Sequence, residues 1–413
     1  MNTNLERIQK DIEALAQFTS TPGVGTTRFS FSKEDRAARE YIRKEMREAG
    51  LKVYEDTAGT LIGRLEGEKK EPVIMIGSHF DSVKNGGNFD GQAGVVTALE
   101  IARVFKEKKL KPKYTVEFVA LIEEEGGRFG GGLFGSRAMV GKVKREDLDK
   151  FKDEDGISIS EAMKDFGLNP DKIEGAIRKP EDIKCFLELH IEQGPILESE
   201  NKSIGIVEYI VGIREFEVII KGRPDHAGTT PMNMRADALD GGSRIISKIS
   251  NFAKEVGFGS VATVGKLNVW PGAANIVPER VNFLVDIRSK KWECIEEIKT
   301  NIEKEVENVC KDSGLDYEII HKIHVKPVKV SENIVEILKE NCEKLQFSQE
   351  IMLSGAGHDA MVMGEITDIG MIFVPSKGGR SHCPEEWTDY EALQKGVELS
   401  YYAVKKLSEA KCM

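Results

Sequence analysis

The stretch PVIMIGSHFDSVKNGGNFDGQAGV, residues 72–95, joins an apolar run to a glycine-rich loop that carries charged side chains. The apolar run predicts a buried strand, and His79 follows at its end. Asp81 and Asp90 lie in the loop, and the apolar spacing after it predicts a helix over residues 93–108. Because ligands bind beyond the carboxyl ends of strands in open α/β sheets, this histidine and these carboxylates indicate a candidate site.

Strand and helix patterns alternate over the first 150 residues, which is typical of an α/β sheet with helices on both faces. From about Val211 the order becomes β-α-β-β-α-β, the pattern of a compact ferredoxin-like module. Patterns like those at the start return beyond about residue 330. We therefore predict an α/β fold, a mixed sheet with helices on both faces, built from residues 1–211 and 331–413. An α+β ferredoxin-like domain would be inserted at residues 212–330.

The composition is that of an ordinary globular protein, with 40% hydrophobic and 31% charged residues. The net charge of −10 argues against a nucleic-acid or membrane partner. No apolar run approaches the length of a membrane span, and the first residues predict an amphipathic helix, not a signal peptide. The six cysteines are scattered without a CxxC pair, which fits reduced thiols in a cytoplasmic protein.

Three other predicted strands also end in residues that can bind metals. Their motifs are IEEEGGRFGGGLFGS (122–136), ELHIEQGP (188–195) and KGGRSHCP (377–384). The combined ligand set mixes imidazole and carboxylate groups, and it suits two zinc or manganese ions, not a thiolate site. Its members are His79, Asp90, one glutamate of residues 123–125, His190 and His382. A two-metal site that shares a bridging carboxylate can activate one water for attack on a carbonyl.

Each of these signals has an ordinary structural explanation when it is taken alone. A histidine at a strand end is usually structural, and three adjacent acids are as often a solvated charge run. The glycines of residues 130–135 match GxGxxG, but the acids before them would repel a pyrophosphate. The chain has no GxSxG motif, and Cys383 adjoins His382 in sequence, so their side chains point apart. The combination of several strand-end ligands therefore favours a metal site.

Six motifs, in this order, resemble those of the metal-dependent amidohydrolases that cleave N-carbamoyl groups. These are the N-carbamoyl-L-amino-acid hydrolases, the allantoate amidohydrolases and the β-ureidopropionases, which are related to M20 peptidases and aminoacylases. The resemblance runs nearly from end to end of the chain. The motifs are GSHFDSVKNGGNFDG (77–91), EEEGGRF (123–129), ELHIEQGP (188–195), HAGTTPM (226–232), GAGHDA (355–360) and SHCPEEW (381–387).

The resemblance implies a hydrolase with two divalent metal ions in each subunit. By match to the family motifs, His79, Asp90 and His190 would bind one ion. Asp90 would bridge to a second ion, which Glu125 and His382 would also hold. Zn²⁺ or Mn²⁺ would suit these ligands, and they also admit Co²⁺ or Ni²⁺.

The resemblance also assigns the catalytic side chains. Glu124 would be the general base for the attacking water, and Asp81 would orient His79. His226 would stabilise the oxyanion of the tetrahedral intermediate, reaching the active site of the partner subunit. Glu123 makes the acidic run one residue longer than the family needs, so a shift of roles by one residue stays open.

The implied substrate is a small ureido acid. Asn275 and Arg288 would grip its carboxylate, Gln193 would contact the ureido group, and Gly357 and His358 would line the other side. The implied reaction is hydrolysis of the ureido C–N bond of N-carbamoyl-L-amino acids, releasing ammonia, carbon dioxide and the L-amino acid. Allantoate amidohydrolase is the first alternative, followed by β-ureidopropionase or an M20-type dipeptidase or aminoacylase. The inserted domain would act as a lid and as the surface of a homodimer.

Overall fold

A computed structural model describes residues 1–409 and 411–412. The chain divides into two compact units. The first unit is formed by Met1–Glu208 with Lys329–Met413, and the second unit is formed by Tyr209–Val328. Every helix in the described residues is too short or too polar to span a membrane.

Helices and strands alternate through much of the chain. The α-helices are α1 (Leu5–Ala16), α2 (Lys33–Glu48), α3 (Gln92–Glu107), α4 (Phe134–Met139), α5 (Asp147–Lys150), α6 (Ile159–Phe166), α7 (Ile196–Ser199), α8 (Ala238–Val256), α9 (Trp292–Ser313), α10 (Glu332–Leu345), α11 (Asp359–Met363) and α12 (Tyr390–Leu407). The strands are β1 (Lys52–Glu55), β2 (Leu61–Leu65), β3 (Lys69–His79), β4 (Leu110–Lys111), β5 (Tyr114–Leu121), β6 (Ile183–Ile191), β7 (Ile204–Ile210), β8 (Gly212–Lys221), β9 (Val261–Trp270), β10 (Arg280–Ser289), β11 (Asp316–Val325), β12 (Val328–Lys329), β13 (Gln349–Ser354), β14 (Asp368–Val374) and β15 (Lys411–Cys412).

The boundaries between the two units lie a few residues before those predicted at 211/212 and 330/331. Only Val211 separates β7 from β8, so the chain has no linker there that a sequence pattern could mark. At the return crossing, β12 itself spans the boundary.

The first unit is built around a mixed sheet with the order β1-β2-β5-β3-β6-β14-β7-β12, and β13 pairs with β7. The neighbours β5, β3, β6 and β14 run parallel, whereas β1, β2 and β7 make antiparallel pairs. The parallel strands are apolar runs because both of their faces are buried. The predicted mixed α/β sheet is confirmed.

Helices cover both faces of this sheet. On one face, α1, α3, α10 and α12 contribute apolar side chains to a core that contains Leu187 and Leu189 of β6. Glu188 alternates with these two leucines and therefore points to the opposite face. There it meets α11, since Ala360 N donates to Glu188 Oε2 at 2.9 Å.

The carboxyl ends of the parallel strands meet at one edge of the sheet. His79, the last residue of β3, is level with Leu121, the last residue of β5. His190 of β6 is level with Phe373 of β14, and both lie one residue before the ends of their strands. The segments that carry the predicted ligands therefore start side by side.

The second unit has the order β8-α8-β9-β10-α9-β11, which is the ferredoxin-like order predicted from the sequence. Its antiparallel sheet has the strand order β11-β8-β10-β9. Phe216, Val218 and Ile220 of β8 alternate with more exposed residues, and they are buried in a core shared with α8 and α9. Asp237 caps α8 by accepting hydrogen bonds from the backbone of the first turn, which ends the loop that carries His226.

Candidate active site

Asp90 lies at the centre of the residues that follow the parallel strands. Its Oδ1 lies 3.4 Å from His79 Nε2 and 3.1 Å from His190 Nε2, and its Oδ2 lies 3.2 Å from His382 Nε2. The next residue, Gly91, has a φ of 66°, and a Cβ there would lie 2.3 Å from His79 Cε1. A glycine at this position therefore lets one carboxylate face two separate groups of histidines.

Backbone carbonyls orient two of these histidines. His79 Nδ1 donates to the carbonyl of Asp81 at 3.2 Å, and His190 Nδ1 donates to the carbonyl of Ile191 at 2.9 Å. In a neutral ring, a proton on Nδ1 leaves the lone pair on Nε2, the nitrogen that faces Asp90. Metal-bound histidines have this arrangement, because their outer nitrogen usually donates to an oxygen acceptor.

Two of the three consecutive glutamates point into the same cluster. Glu124 Oε2 lies 3.6 Å from His79 Nε2, and Glu125 Oε2 lies 3.5 Å from His382 Nε2. Glu123 has a left-handed backbone with a φ of 53°, and its Oε1 accepts a backbone hydrogen bond at 3.2 Å from the turn that follows. The geometry therefore favours Glu124 and Glu125 as the site residues.

Asp81 connects the loop after β3 to the loop after β5. Its Oδ1 accepts from Glu124 N and its Oδ2 accepts from Glu125 N, both at 3.1 Å. Its carboxylate lies 3.6 Å from His79 Nδ1, which is longer than the 3.2 Å from that nitrogen to the carbonyl of Asp81. Asp81 therefore fixes the two glutamates more directly than it orients His79.

Several polar atoms of the cluster are buried and find no hydrogen-bond partner in the described part of the chain, among them His79 Nε2, Glu125 Oε1 and Gln193 Oε1. Such atoms are costly unless another group satisfies them. Three sets of side chains each bring ligand atoms within 4.8 Å of one another, and the donors are imidazole nitrogens and carboxylate oxygens. These sets are His79, Asp90 and His190; His79, Glu124 and Glu125; and Asp90, Glu125 and His382. The residues therefore fit divalent cations.

The predicted ureido contacts of the first unit lie beside this cluster. Gln193 Nε2 donates to Asp90 Oδ2 at 2.7 Å. His358 is buried with its ring centroid 4.6 Å from that of His190, and Gly357 precedes it. A cavity of about 520 Å³ opens here, lined by Gln193, Ala356, Gly379, Arg380, Ser381, His382 and Cys383.

The remaining predicted residues, His226, Asn275 and Arg288, belong to the second unit. His226 is exposed, and its Nδ1 accepts a hydrogen bond from Gly228 N at 3.0 Å. Asn275 is exposed on the neighbouring segment. Arg288 Nε and Nη2 donate to Asp286 Oδ1 and Oδ2 at 2.9 and 3.1 Å.

Comparison with known proteins identifies the family. The sequence model of peptidase family M20/M25/M40 matches residues 75–406. The chain belongs to this family. An N-carbamoyl-L-amino-acid amidohydrolase of Paenarthrobacter aurescens is 46% identical over 97% of this chain and 98% of its own. An allantoate amidohydrolase of Bacillus subtilis is 38% identical over 96% of each chain.

Solved structures agree with this membership. A hydantoinase/carbamoylase family amidase from Burkholderia multivorans superimposes with a TM-score of 0.92 at 32% identity, covering 98% of each chain. The predicted family is therefore confirmed, and the chain is an M20-family amidohydrolase. The cluster around Asp90 is its candidate metal centre.

The acids and histidines of the M20 cluster shift one another's pKa values. Burial and the charge of Glu125 raise the pKa of Glu124 well above its ordinary value, although His79 opposes the shift. Burial and the charge of Asp90 raise the pKa of Glu125 to about 7. The hydrogen bond with Asp90 is the main cause that raises the pKa of His382 to about 9. A divalent cation would compensate this crowding of acids and displace the protons.

Sequence reasoning missed a carboxylate that holds the centre of the cluster, Glu386. Its Oε1 accepts from Phe89 N at 2.9 Å and Asp90 N at 3.0 Å, and its Oε2 accepts from Ser381 Oγ at 2.7 Å. Ser381 Oγ also lies 2.9 Å from Asp90 Oδ2. Glu386 is part of SHCPEEW, but nothing in that motif tells which of its two glutamates turns inward. Glu386 therefore connects the loop of Asp90 to the loop that carries Ser381 and His382.

Glu386→Ala is expected to weaken metal binding about 10–100-fold, because Phe89 N and Asp90 N lose their acceptor. Glu386→Gln should retain most of the affinity, since an amide oxygen can accept the same backbone bonds. The measurement is metal retained by the purified protein during titration with a chelator. Glu385→Ala is the matched control, because Glu385 pairs with Arg380 at the surface. Equal retention in the two alanine variants would contradict the role of Glu386.

Proposed function

We propose that this amidohydrolase cleaves the ureido C–N bond of N-carbamoyl-L-amino acids and releases ammonia, carbon dioxide and the L-amino acid. The observation that carries the proposal is the position of Asp90, whose two oxygens face separate histidine groups beside Glu124. Relatives named N-carbamoyl-L-amino-acid amidohydrolase are 46%, 44% and 40% identical to the chain. Allantoate hydrolysis is the second candidate, because relatives named allantoate amidohydrolase are 38% and 36% identical.

In this proposal the cluster binds two divalent cations, Zn²⁺ or Mn²⁺, and it also admits Co²⁺ or Ni²⁺. His79 and His190 would hold one cation, and Glu125 and His382 would hold the other. Asp90 would contribute to both sites, which its central position supports. When bound, the cations would polarise the substrate carbonyl and make the attacking water more acidic.

Glu124 is the proposed general base. It takes a proton from the attacking water and passes it to the leaving nitrogen, so that the carbonyl carbon gains an oxygen and ammonia departs. The carbamate that remains breaks down to carbon dioxide and the amino acid. Burial is the main cause that raises the pKa of Glu124 above its ordinary value, and a higher pKa makes a carboxylate a stronger base. Asp81 holds this glutamate in place through the hydrogen bond from Glu124 N.

Further residues are proposed as substrate contacts. Gln193 Oε1, which has no hydrogen-bond partner within the described residues, would accept a hydrogen bond from the ureido group, and His358 would line the opposite side. Asn275 and Arg288 would bind the substrate carboxylate, for which a planar guanidinium offers two donors. His226 would donate to the oxyanion from the partner subunit of a homodimer, with the second unit acting as a lid.

The proposal is tested by ammonia release from the manganese-loaded protein. N-carbamoyl-L-methionine, N-carbamoyl-β-alanine and allantoate are offered in parallel, each with a chelator-treated control. We expect release from N-carbamoyl-L-methionine that the chelator abolishes and that added Mn²⁺ restores. Release from allantoate alone would establish the second candidate. Release from none of them, with cleavage of dipeptides or N-acetyl amino acids, would refute the proposed reaction.

A further inference from the structure

Arg235 holds the turn that carries His226. The guanidinium donates from Nε to the carbonyl of Thr230 at 3.0 Å and from Nη2 to the carbonyl of Ala227 at 2.6 Å. Thr230 N in turn donates to the carbonyl of His226 at 3.2 Å, which closes the turn. Arg235 is half-buried. Its planar guanidinium donates to two carbonyls at the two ends of the turn.

The same turn fixes the ring of His226. Gly228 N donates to His226 Nδ1 at 3.0 Å. A ring nitrogen can accept a hydrogen bond only through its lone pair, so in the neutral ring the proton lies on Nε2. The turn therefore leaves Nε2–H as the hydrogen-bond donor of this side chain.

Backbone bonds also tie the turn to the segment that carries Asn275. Ala227 N donates to the carbonyl of Asn275 at 3.0 Å, and Val277 N donates to the carbonyl of Asp225 at 2.8 Å. His226 and Asn275 are therefore held at a fixed spacing, so a displacement of the turn would move both.

We propose that Arg235 is a positioning residue, which holds the 226–230 turn so that His226 presents Nε2–H to the developing oxyanion. The inference rests on the proposed function, in which His226 acts on the substrate carbonyl. Among the described residues, the hydrogen bonds of the Arg235 guanidinium go to backbone carbonyls of this loop, so Arg235 acts through His226. Lysine cannot replace it, because a single ammonium lacks the rigid fork that reaches both carbonyls.

The first test is kinetic. Arg235→Ala and Arg235→Lys should each lower kcat about tenfold with little change in KM, because a displaced donor weakens the transition state more than the bound substrate. Arg244→Ala is the matched control, since Arg244 is an arginine of α8 that donates to Ser313 Oγ away from the loop. It should retain wild-type kinetics. Wild-type kcat in Arg235→Ala would overturn the inference.

A double variant separates positioning from general stability. In a His226→Ala background, Arg235→Ala should cause no further loss of kcat, because the group that it positions is gone. A further loss of the full factor would overturn the inference. An active His226→Ala enzyme would refute the role of His226 in the proposed function, which is a different failure from an unaffected Arg235→Ala enzyme.

A spectroscopic measurement tests the same idea without turnover. In holoenzyme labelled with ¹⁵N-histidine, the His226 signals are assigned by their loss in His226→Ala. Nδ1 should resonate as a nitrogen with a lone pair and Nε2 as a protonated nitrogen. In Arg235→Ala both signals should move toward values averaged over the two tautomers. Unchanged His226 signals in that variant would overturn the inference.

Discussion

Glu124→Gln is expected to lower kcat about 10³-fold while the enzyme keeps its metal ions. Glutamine has nearly the same shape and can keep the backbone hydrogen bond from Glu124 N to Asp81. It cannot take a proton from water, so the attack and the proton transfer to the leaving nitrogen both fail. The measurements are ammonia release under single-turnover conditions and the metal content of the same preparation.

The adjacent acid provides the control for this prediction. Glu123→Gln should be active, because Glu123 faces a backbone amide and a glutamine oxygen can accept the same bond. Comparing Glu123→Gln with Glu124→Gln also answers a question that the sequence leaves open. That question is whether the general base is displaced by one residue along the run of three glutamates. An inactive Glu123→Gln enzyme beside an active Glu124→Gln enzyme would show that the assignment is displaced.

The sequence was sufficient for the framework because the strands that position the site are largely apolar and are buried on both faces. The apolar runs before His79 and before Glu123 are typical of strands in a parallel sheet whose two faces are both buried. Once those strands are parallel, their ends must lie together, which brings the strand-end histidines to one edge. The apolar run that predicts β3 starts at Pro72, whereas the strand begins at Lys69, because the first residues of the strand are polar and exposed.

The sequence pattern did not reveal strands β7 and β13. β7 is a short, largely buried run that only Val211 separates from β8, and periodicity alone does not mark where one strand ends and the next begins. β13 alternates only weakly between exposed and buried residues. Its place in the sheet comes from pairing with β7, which no local pattern reports.

The supporting side chains of the site were also beyond a sequence pattern. Glu188 accepts from Ser78 Oγ at 2.6 Å, and Asp359 accepts from Ser136 Oγ at 2.6 Å, so two buried acids have partners more than 100 residues away in the chain. The direction in which such a side chain points depends on which strands and loops become neighbours. Residue types and spacings in the sequence therefore predict the candidate metal-binding residues. The buried acids that support them can be identified only once the fold is known.

Asp90→Asn is expected to abolish turnover and to lower metal affinity by more than about 100-fold. This loss is larger than the loss expected when a residue that only hydrogen-bonds to a metal ligand is replaced. The carboxylate presents Oδ1 to His190 and Oδ2 to His382, and it is charged because those histidines outweigh burial and hold its pKa well below the ordinary value. An asparagine keeps one acceptor and places an NH₂ donor at the other position. It therefore cannot bridge two cations.

Metal titration followed by calorimetry distinguishes this failure from that of Glu124, the proposed general base. Asp90→Asn should bind at most one ion tightly, and excess Mn²⁺ should not restore ammonia release, whereas Glu124→Gln should bind metal like the wild type. Asp153→Asn is the matched control. It makes the same chemical change, but Asp153 pairs with Arg128 outside the cluster. If Asp90→Asn bound two ions tightly, the proposed bridging role of Asp90 would be wrong. The side-chain amide has one acceptor oxygen and could not replace a carboxylate that contacts both ions.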